Sequence, residues 1–151
     1  MTKRKHRQHM NSAEVRALKE AIRGLDPTKL YSFNWYIKKR MKQRGISRKD
    51  INRTIKEGHI IEAHNEKRDD IRILLRHETK RGLAVCLVVS LKDHCIITVY
   101  INESSDNHPT LNWSEYQWNV DLVEEVMRFN AKGSQNLPII QKGAMQNELL
   151  N

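Results

Sequence analysis

Residues 83 to 91 read LAVCLVVSL, and eight of these nine residues are apolar. A run this short, rich in valine and bounded by Gly82 on one side and Lys92 and Asp93 on the other, is a β-strand rather than a helix. The polar alternation of a half-exposed strand is missing. Such a segment belongs at the centre of a sheet, buried on both faces. The next residues, HCIITVYI (94 to 101), form a second strand, and Lys92 with Asp93 supplies a two-residue turn between them. In that register Leu91 opposes His94 and Cys86 opposes Val99, so Cys86 and Cys95 are too far apart to bond. Neither cysteine has a CxxC partner, and both read as buried thiols. Upstream, Ile71, Ile73 and Leu75 are interleaved with Arg72, Leu74 and Arg76, which makes a third strand over 71 to 76. His59 to His64 is a short extended segment, and Asn65 to Asp70 a turn.

Ahead of the strands the period is helical. Asn11 followed by Glu14 has capping-box spacing, and Val15, Leu18, Ile22 and Leu25 recur on one face until Gly24, Asp26 and Pro27 end the helix. A second helix begins near Ser32 and runs through Ile37 and Met41 to Gly45. Ser47 caps a third, with Asp50 at the box position and Ile46 packed on Ile51 as a hydrophobic staple. After the strands, residues 102 to 112 form a polar loop. Asn112 with Glu115 then caps a last helix through Trp118, Leu122 and Val126 that ends near Gly133. Trp113, Tyr116 and Trp118, with Pro109, suggest an aromatic base-stacking platform, but their acidic neighbourhood favours a cover over the sheet.

This order predicts an α+β fold in which N-terminal helices pack on a small antiparallel sheet, followed by a C-terminal helix. The expected organisation is a disordered basic arm over 1–10, a single α+β domain over 11–133 and a loosely ordered tail over 134–151. A chain of 151 residues is long enough for one real core. It contains no apolar run of membrane-spanning length and no signal-peptide pattern, so a cytoplasmic location without membrane contact is expected.

Charge is where partners become legible. Residues 1 to 56 carry 17 Lys or Arg against 4 Asp or Glu, residues 57 to 102 balance at 7 and 7, and residues 103 to 151 carry 3 against 7. A cationic third of this kind is the footprint of phosphate contact. Nucleic acid is the expected partner, RNA ahead of DNA, with an acidic protein surface as the alternative. The candidate contacts are Lys38, Lys39, Lys42, Arg44, Arg48 and Lys49 on the two helices, with Lys80 and Arg81 in the turn after the third strand. Oligomeric state is left open.

A basic helix reading RM-x-x-RGIS-x-x-D-I, a helix, and strands ending in ITVY resemble a small bacterial and phage domain family of unknown function. That family is written around an RM-x-x-RGI-s helix pair and a closing i-v-T-v-Y strand. The matching residues are Arg40, Met41, Arg44, Gly45, Ile46, Ser47 and Ile51, then Ile97, Thr98, Val99 and Tyr100. The resemblance covers about residues 32 to 101. The family is itself similar to the barnase, EndoU, colicin and RelE superfold, which implies a metal-independent ribonuclease of toxin type. One departure matters: the family usually has a histidine four residues before its Arg-Met pair, and here that position is Tyr36.

Metal-independent RNA cleavage needs a base for the 2′-hydroxyl proton, an acid for the leaving oxygen and cations around the phosphate. Arg72 and Arg76 share one side of their strand, and His94, Thr98 and Tyr100 share one side of theirs. If the two sides coincide, these five form a catalytic cluster that needs no cofactor and no metal. His77 sits at the strand end, and His59 and His64 flank a strand as isolated histidines. No GxxxxGK[ST], GxSxG or HExxH motif is present, which argues against nucleotide hydrolysis, serine hydrolysis and zinc proteolysis. The competing expectation is a non-catalytic module or protein inhibitor that uses the basic helices to hold RNA, DNA or an acidic protein surface.

Overall fold

Asn11 and Ser47 decide where two of the helices begin. In the computed structural model, which describes residues 4–65, 70–79, 82–103, 116 and 119–135, both capping boxes close. The Asn11 side chain accepts from Glu14 N–H, and the Glu14 carboxylate accepts from Asn11 N–H. Ser47 and Asp50 make the same reciprocal pair. Each satisfies two amide donors that a helix start leaves without intrahelical partners. Helix α1 spans Ser12–Arg23, a single-turn α2 spans Pro27–Leu30, α3 spans Trp35–Arg44 and α4 spans Arg48–Glu57. The expected start of α3 moves from Ser32 to Trp35, because Asn34 is the residue whose side chain accepts from Ile37 N–H. Gly45, at φ +66°, ends α3 in a left-handed turn, and Ile46 N–H reaches back to the Met41 carbonyl at 2.9 Å.

The sheet is an antiparallel five-stranded meander in chain order: β1 (Arg4–His6), β2 (His59–His64), β3 (Arg72–Glu78), β4 (Leu83–Ser90) and β5 (Cys95–Glu103). It is wider than the three strands expected. Arg4–His6, read from its charge as part of a disordered arm, is an edge strand paired with residues 62–64 of β2. Tertiary pairing overrides local composition there, because Lys5 finds a buried carboxylate in Glu14 and His6 packs on Tyr116.

One face of the sheet carries Ala63, Ile73, Leu75, Val85, Leu87, Val89 and Val99, all buried. They form one core with Leu18 and Ile22 of α1, Ile37 of α3, Ile51 of α4 and Leu122 and Val126 of the last helix. Each such large side chain, fully removed from water, contributes about 1.5–3 kcal/mol. Helix α4 packs on β3 and β4, α3 packs on β5, and α1 packs on α5 (Leu122–Gln135). Gly58 lets the end of α4 lie against β3: a Cβ there would stand 2.3 Å from the Thr54 carbonyl oxygen and 3.2 Å from that of Arg76. Most of segment 83–91 is buried on both sides, since Ala84, Cys86 and Ser90 on the opposite face are as enclosed as Leu87 and Val89, while Leu83 at the strand start is exposed and Val88 half-buried.

Three local expectations are corrected. The β4–β5 connection uses four residues, Leu91 to His94, instead of two, and pairing begins where Ser90 faces Cys95. A β-bulge then absorbs Ile97: Val89 opposes Ile96 but Val88 opposes Thr98, and Cys86 faces Tyr100 rather than Val99. The last helix starts at Leu122, where Asp121 Oδ1 accepts from Val123 N–H and Glu124 N–H, and it runs to Gln135, close to the expected end near Gly133. The expected cap at Asn112 and Glu115, the aromatics Trp113 and Trp118, and the tail from residue 136 lie outside the described residues. Cys86 and Cys95 form no disulfide; Cys86 is buried as expected, whereas Cys95, also expected to be buried, is half-exposed at the start of β5. No helix among the described residues is long and apolar enough to cross a membrane.

Candidate functional site

The face of the sheet opposite the helices is polar, and strand register determines what meets on it. Residues directly opposite each other in paired strands share a side. His64, Arg72 and Ser90 are one such row, Glu62, Leu74, Val88 and Thr98 another, and Arg76, Cys86 and Tyr100 a third. Strand β1 adds Arg4 opposite His64 and His6 opposite Glu62. The two sides posited from the sequence therefore do coincide for Arg72, Arg76, Thr98 and Tyr100. The Ile97 bulge achieves this; without it Thr98 would face Leu87 and point into the core.

His94 is not part of this cluster. It lies in the turn at φ +54°, and its Nδ1 accepts the Asp26 N–H at 2.8 Å, which ties the β4–β5 turn to the start of α2. Counting His94 in phase with Thr98 and Tyr100 fails twice, because the turn is longer than two residues and because the bulge shifts the parity. Arg72 is on the face but is also anchored: its Nε donates to Asp70 Oδ2 at 3.0 Å, while Asp70 Oδ1 accepts from Ser90 Oγ at 2.8 Å. Arg76 is buried, at 6% exposure, beside Cys86 and Tyr100.

Two further side chains on this face, Glu62 and His64, were not among the candidate site residues of the sequence analysis. Glu62 is 6% exposed; its Oε2 accepts from Arg4 Nε at 2.8 Å and its Oε1 from the Tyr116 hydroxyl at 2.7 Å. The Tyr116 ring lies edge-on to His6, with centroids 5.7 Å apart, and the Arg4 guanidinium sits 5.2 Å from the ring centroid. Tyr116 thus lies over side chains of β1 and β2, as expected of the aromatic cover. His64 lies two residues from Glu62 on the same side of β2, a spacing of about 7 Å. A cleft of about 290 Å³ opens here, lined by Arg4, Glu62, His64, Leu74, Val88, Tyr100 and Tyr116. The signal that could have found it is the i, i+2 pair of Glu62 and His64 in HIIEAH, matched by Arg4 and His6 in RKH.

Electrostatics set the role open to Tyr100. Burial, and then the neighbouring Cys86 thiol and Glu62 carboxylate, push its hydroxyl above the usual tyrosine range, with Arg76 opposing. It remains a neutral donor, suited to holding an oxygen rather than taking a proton. Burial likewise pushes the Cys95 thiol up, helped by Asp93 and Asp70 and opposed by Arg72, so it is a poor nucleophile.

The cationic surface lies on the helix side. Lys38, Lys39 and Lys42 on α3 and Lys49 on α4 are exposed, as the sequence suggested. Arg44 and Arg48 are exposed too but have internal partners. Arg44 Nη1 donates to the Val99 carbonyl of edge strand β5 at 2.6 Å, and the Arg48 guanidinium lies 4.8 Å from the Tyr31 ring centroid. Lys80 and Arg81 lie outside the described residues.

Residues 37–101 match the model of a family described as a domain of unknown function (DUF4258). The matched span opens inside α3 and closes inside β5, so it includes α4 and strands β2 to β4 but omits β1, α1, Tyr116 and α5. No curated protein and no solved structure matches the chain.

Proposed function

We propose that this protein is an RNA-directed, metal-independent ribonuclease whose reaction takes place on the open face of the sheet. The observation that carries the reading is the convergence of Glu62, His64, Arg4, Arg72, Arg76 and Tyr100 around one cleft and its border. In the proposed reaction the Glu62 carboxylate takes the proton of a ribose 2′-hydroxyl, and the 2′-oxygen attacks the adjacent phosphorus. The 5′-oxygen leaves with a proton from His64, giving a 2′,3′-cyclic phosphate and a 5′-hydroxyl end. Side chains about 7 Å apart can reach the entering and leaving oxygens on opposite sides of a phosphate. Arg4, Arg72 and Arg76 oppose the charge that builds on the phosphoryl oxygens, and the Tyr100 hydroxyl donates to one of them. All the groups this reaction requires are side chains, so EDTA should not stop it.

The test is cleavage of an oligoribonucleotide in EDTA by wild type, Glu62→Gln and His64→Ala, with the termini identified by mass. Cyclic-phosphate ends that fall about 10²- to 10⁴-fold in either variant support the reading. Activity unchanged in both variants overturns it.

A second reading is a non-catalytic nucleic-acid-binding or inhibitor module. It is favoured by Tyr36, which stands where the resembled family has its histidine, and by the occupation of both Glu62 oxygens, one by Arg4 and one by Tyr116. RNA binding by a wild-type protein that yields no cleavage products would select it.

A further inference from the structure

Helix α3 opens with two aromatic side chains that the core does not use. Trp35 is 73% exposed and Tyr36 38% exposed, while the buried side of the same helix is supplied by Ile37 and, in part, Met41. An indole left this far in water has no packing role in the monomer. The two rings stand at 87° with centroids 6.3 Å apart. Each has a cation from the next turn beside it: Lys39 Nζ lies 5.9 Å from the Trp35 centroid, and the Arg40 guanidinium 4.9 Å from that of Tyr36. Lys38, Lys42 and Arg44 bring the cations of WYIKKRMKQR to five, and the segment contains no carboxylate.

From this arrangement we infer that the start of α3 is a stacking platform for the unpaired bases of single-stranded RNA, with Trp35 and Tyr36 taking bases and Lys38, Lys39, Arg40 and Lys42 taking the adjoining phosphates. Aromatic faces bordered by cations suit a polyanion whose bases are exposed. A duplex keeps its bases stacked on each other and offers them no access. Charge complementarity excludes a basic partner. A membrane surface requires a broad apolar helix face, whereas the apolar face of α3 is turned into the core and its exposed apolar part is confined to these two rings. The inference deepens the proposed function by naming the strand state of the RNA, and it rests on that reading only for the class of ligand.

The experiment uses the full chain and a fluorescently labelled 2′-O-methyl oligoribonucleotide of about twelve nucleotides, which cannot be cleaved, compared with its duplex at about 0.1 M salt. Trp35→Ala and Tyr36→Ala are each expected to raise Kd for the single strand by about 5- to 150-fold, Trp35→Phe by less, and to leave duplex binding unchanged. Intrinsic fluorescence should be quenched by the single strand in wild type, and less so in Trp35→Phe. Both positions are exposed, so the melting temperature should not move in Trp35→Phe, and that variant carries the test if an alanine variant unfolds. Single-strand affinity equal to wild type in folded Trp35 and Tyr36 variants overturns the inference. So does a Trp35 signal that answers to anionic vesicles or to an acidic protein and not to RNA. Because the strand is uncleavable, failure here is distinct from failure of the sheet-face chemistry, which the Glu62 and His64 variants read.

Discussion

Lys5 and Glu14 form a buried ion pair in which Lys5 Nζ lies 2.8 Å from Glu14 Oε2 and 3.0 Å from Oε1. Lys5 also donates to the Val120 carbonyl, while Glu14 caps α1 and accepts from Leu122 N–H at the start of α5. One carboxylate thus joins the edge strand β1, the first helix and the last. Removing either partner leaves a charge in a site that is 1% exposed at Glu14 and 5% at Lys5. Lys5→Met should cost about 3–5 kcal/mol in urea unfolding. A midpoint unchanged from wild type would mean that β1 contributes no stability.

His94 is expected to be structural. Since its Nδ1 faces the Asp26 amide and not the cleft, His94→Ala should leave RNA cleavage and binding within about two-fold of wild type. It should lose only the worth of one hydrogen bond, about 0.5–1.5 kcal/mol. A cleavage defect as large as that of His64→Ala would place His94 in the chemistry after all.

Tyr100 makes a pH prediction. Its hydroxyl titrates higher in the folded chain than in the unfolded chain, chiefly through burial. Above the ordinary tyrosine range, near pH 10, the unfolded state therefore binds fewer protons than the folded one, and stability falls as pH rises. Below that range the contribution is constant. Alkaline unfolding followed by circular dichroism should be steeper in wild type than in Tyr100→Phe, with the difference confined to pH above about 10. Parallel curves would contradict the burial argument.

Salt dependence measures the helix surface. If Lys38, Lys39 and Lys42 each neutralise a phosphate of a single strand, changing all three to Gln should flatten the slope of log affinity against log salt by about 2. Arg44→Gln, by contrast, removes the contact to the Val99 carbonyl and should lower stability more than it flattens the slope. The slope is read from anisotropy titrations at several salt concentrations, and stability from thermal melts.

The helices were written in short-range chemistry. Asn11 with Glu14 and Ser47 with Asp50 set their starts within four residues, Gly45 ends α3, and the apolar spacing of Leu18, Ile22, Ile37 and Ile51 marks their buried sides. The burial of most of 83–91 followed from its nearly continuous apolar run. The α+β class and the exposure of the α3 cations were therefore legible from sequence alone.

What only the tertiary structure decided is which side chains share the open face. A side chain in a strand changes sides with every residue, so the one extra residue absorbed at Ile97 reassigned every β5 partner from Thr98 onward, while the four-residue turn took His94 out of the strand. Those irregularities depend on how β5 fits against α3 and the core, and no local pattern encodes them. The same holds for β1. Arg4 and His6 meet Glu62 and His64 across more than fifty residues of chain, and a charge-rich segment that reads as a solvated arm becomes an edge strand because the fold offers Lys5 a buried carboxylate. The sequence by itself determined the helices, the central strand and the polarity of the surface, since these rest on neighbours in the chain. The cleft of Glu62, His64, Tyr100 and Tyr116 rests on register and long-range pairing, which arise only when the strands meet.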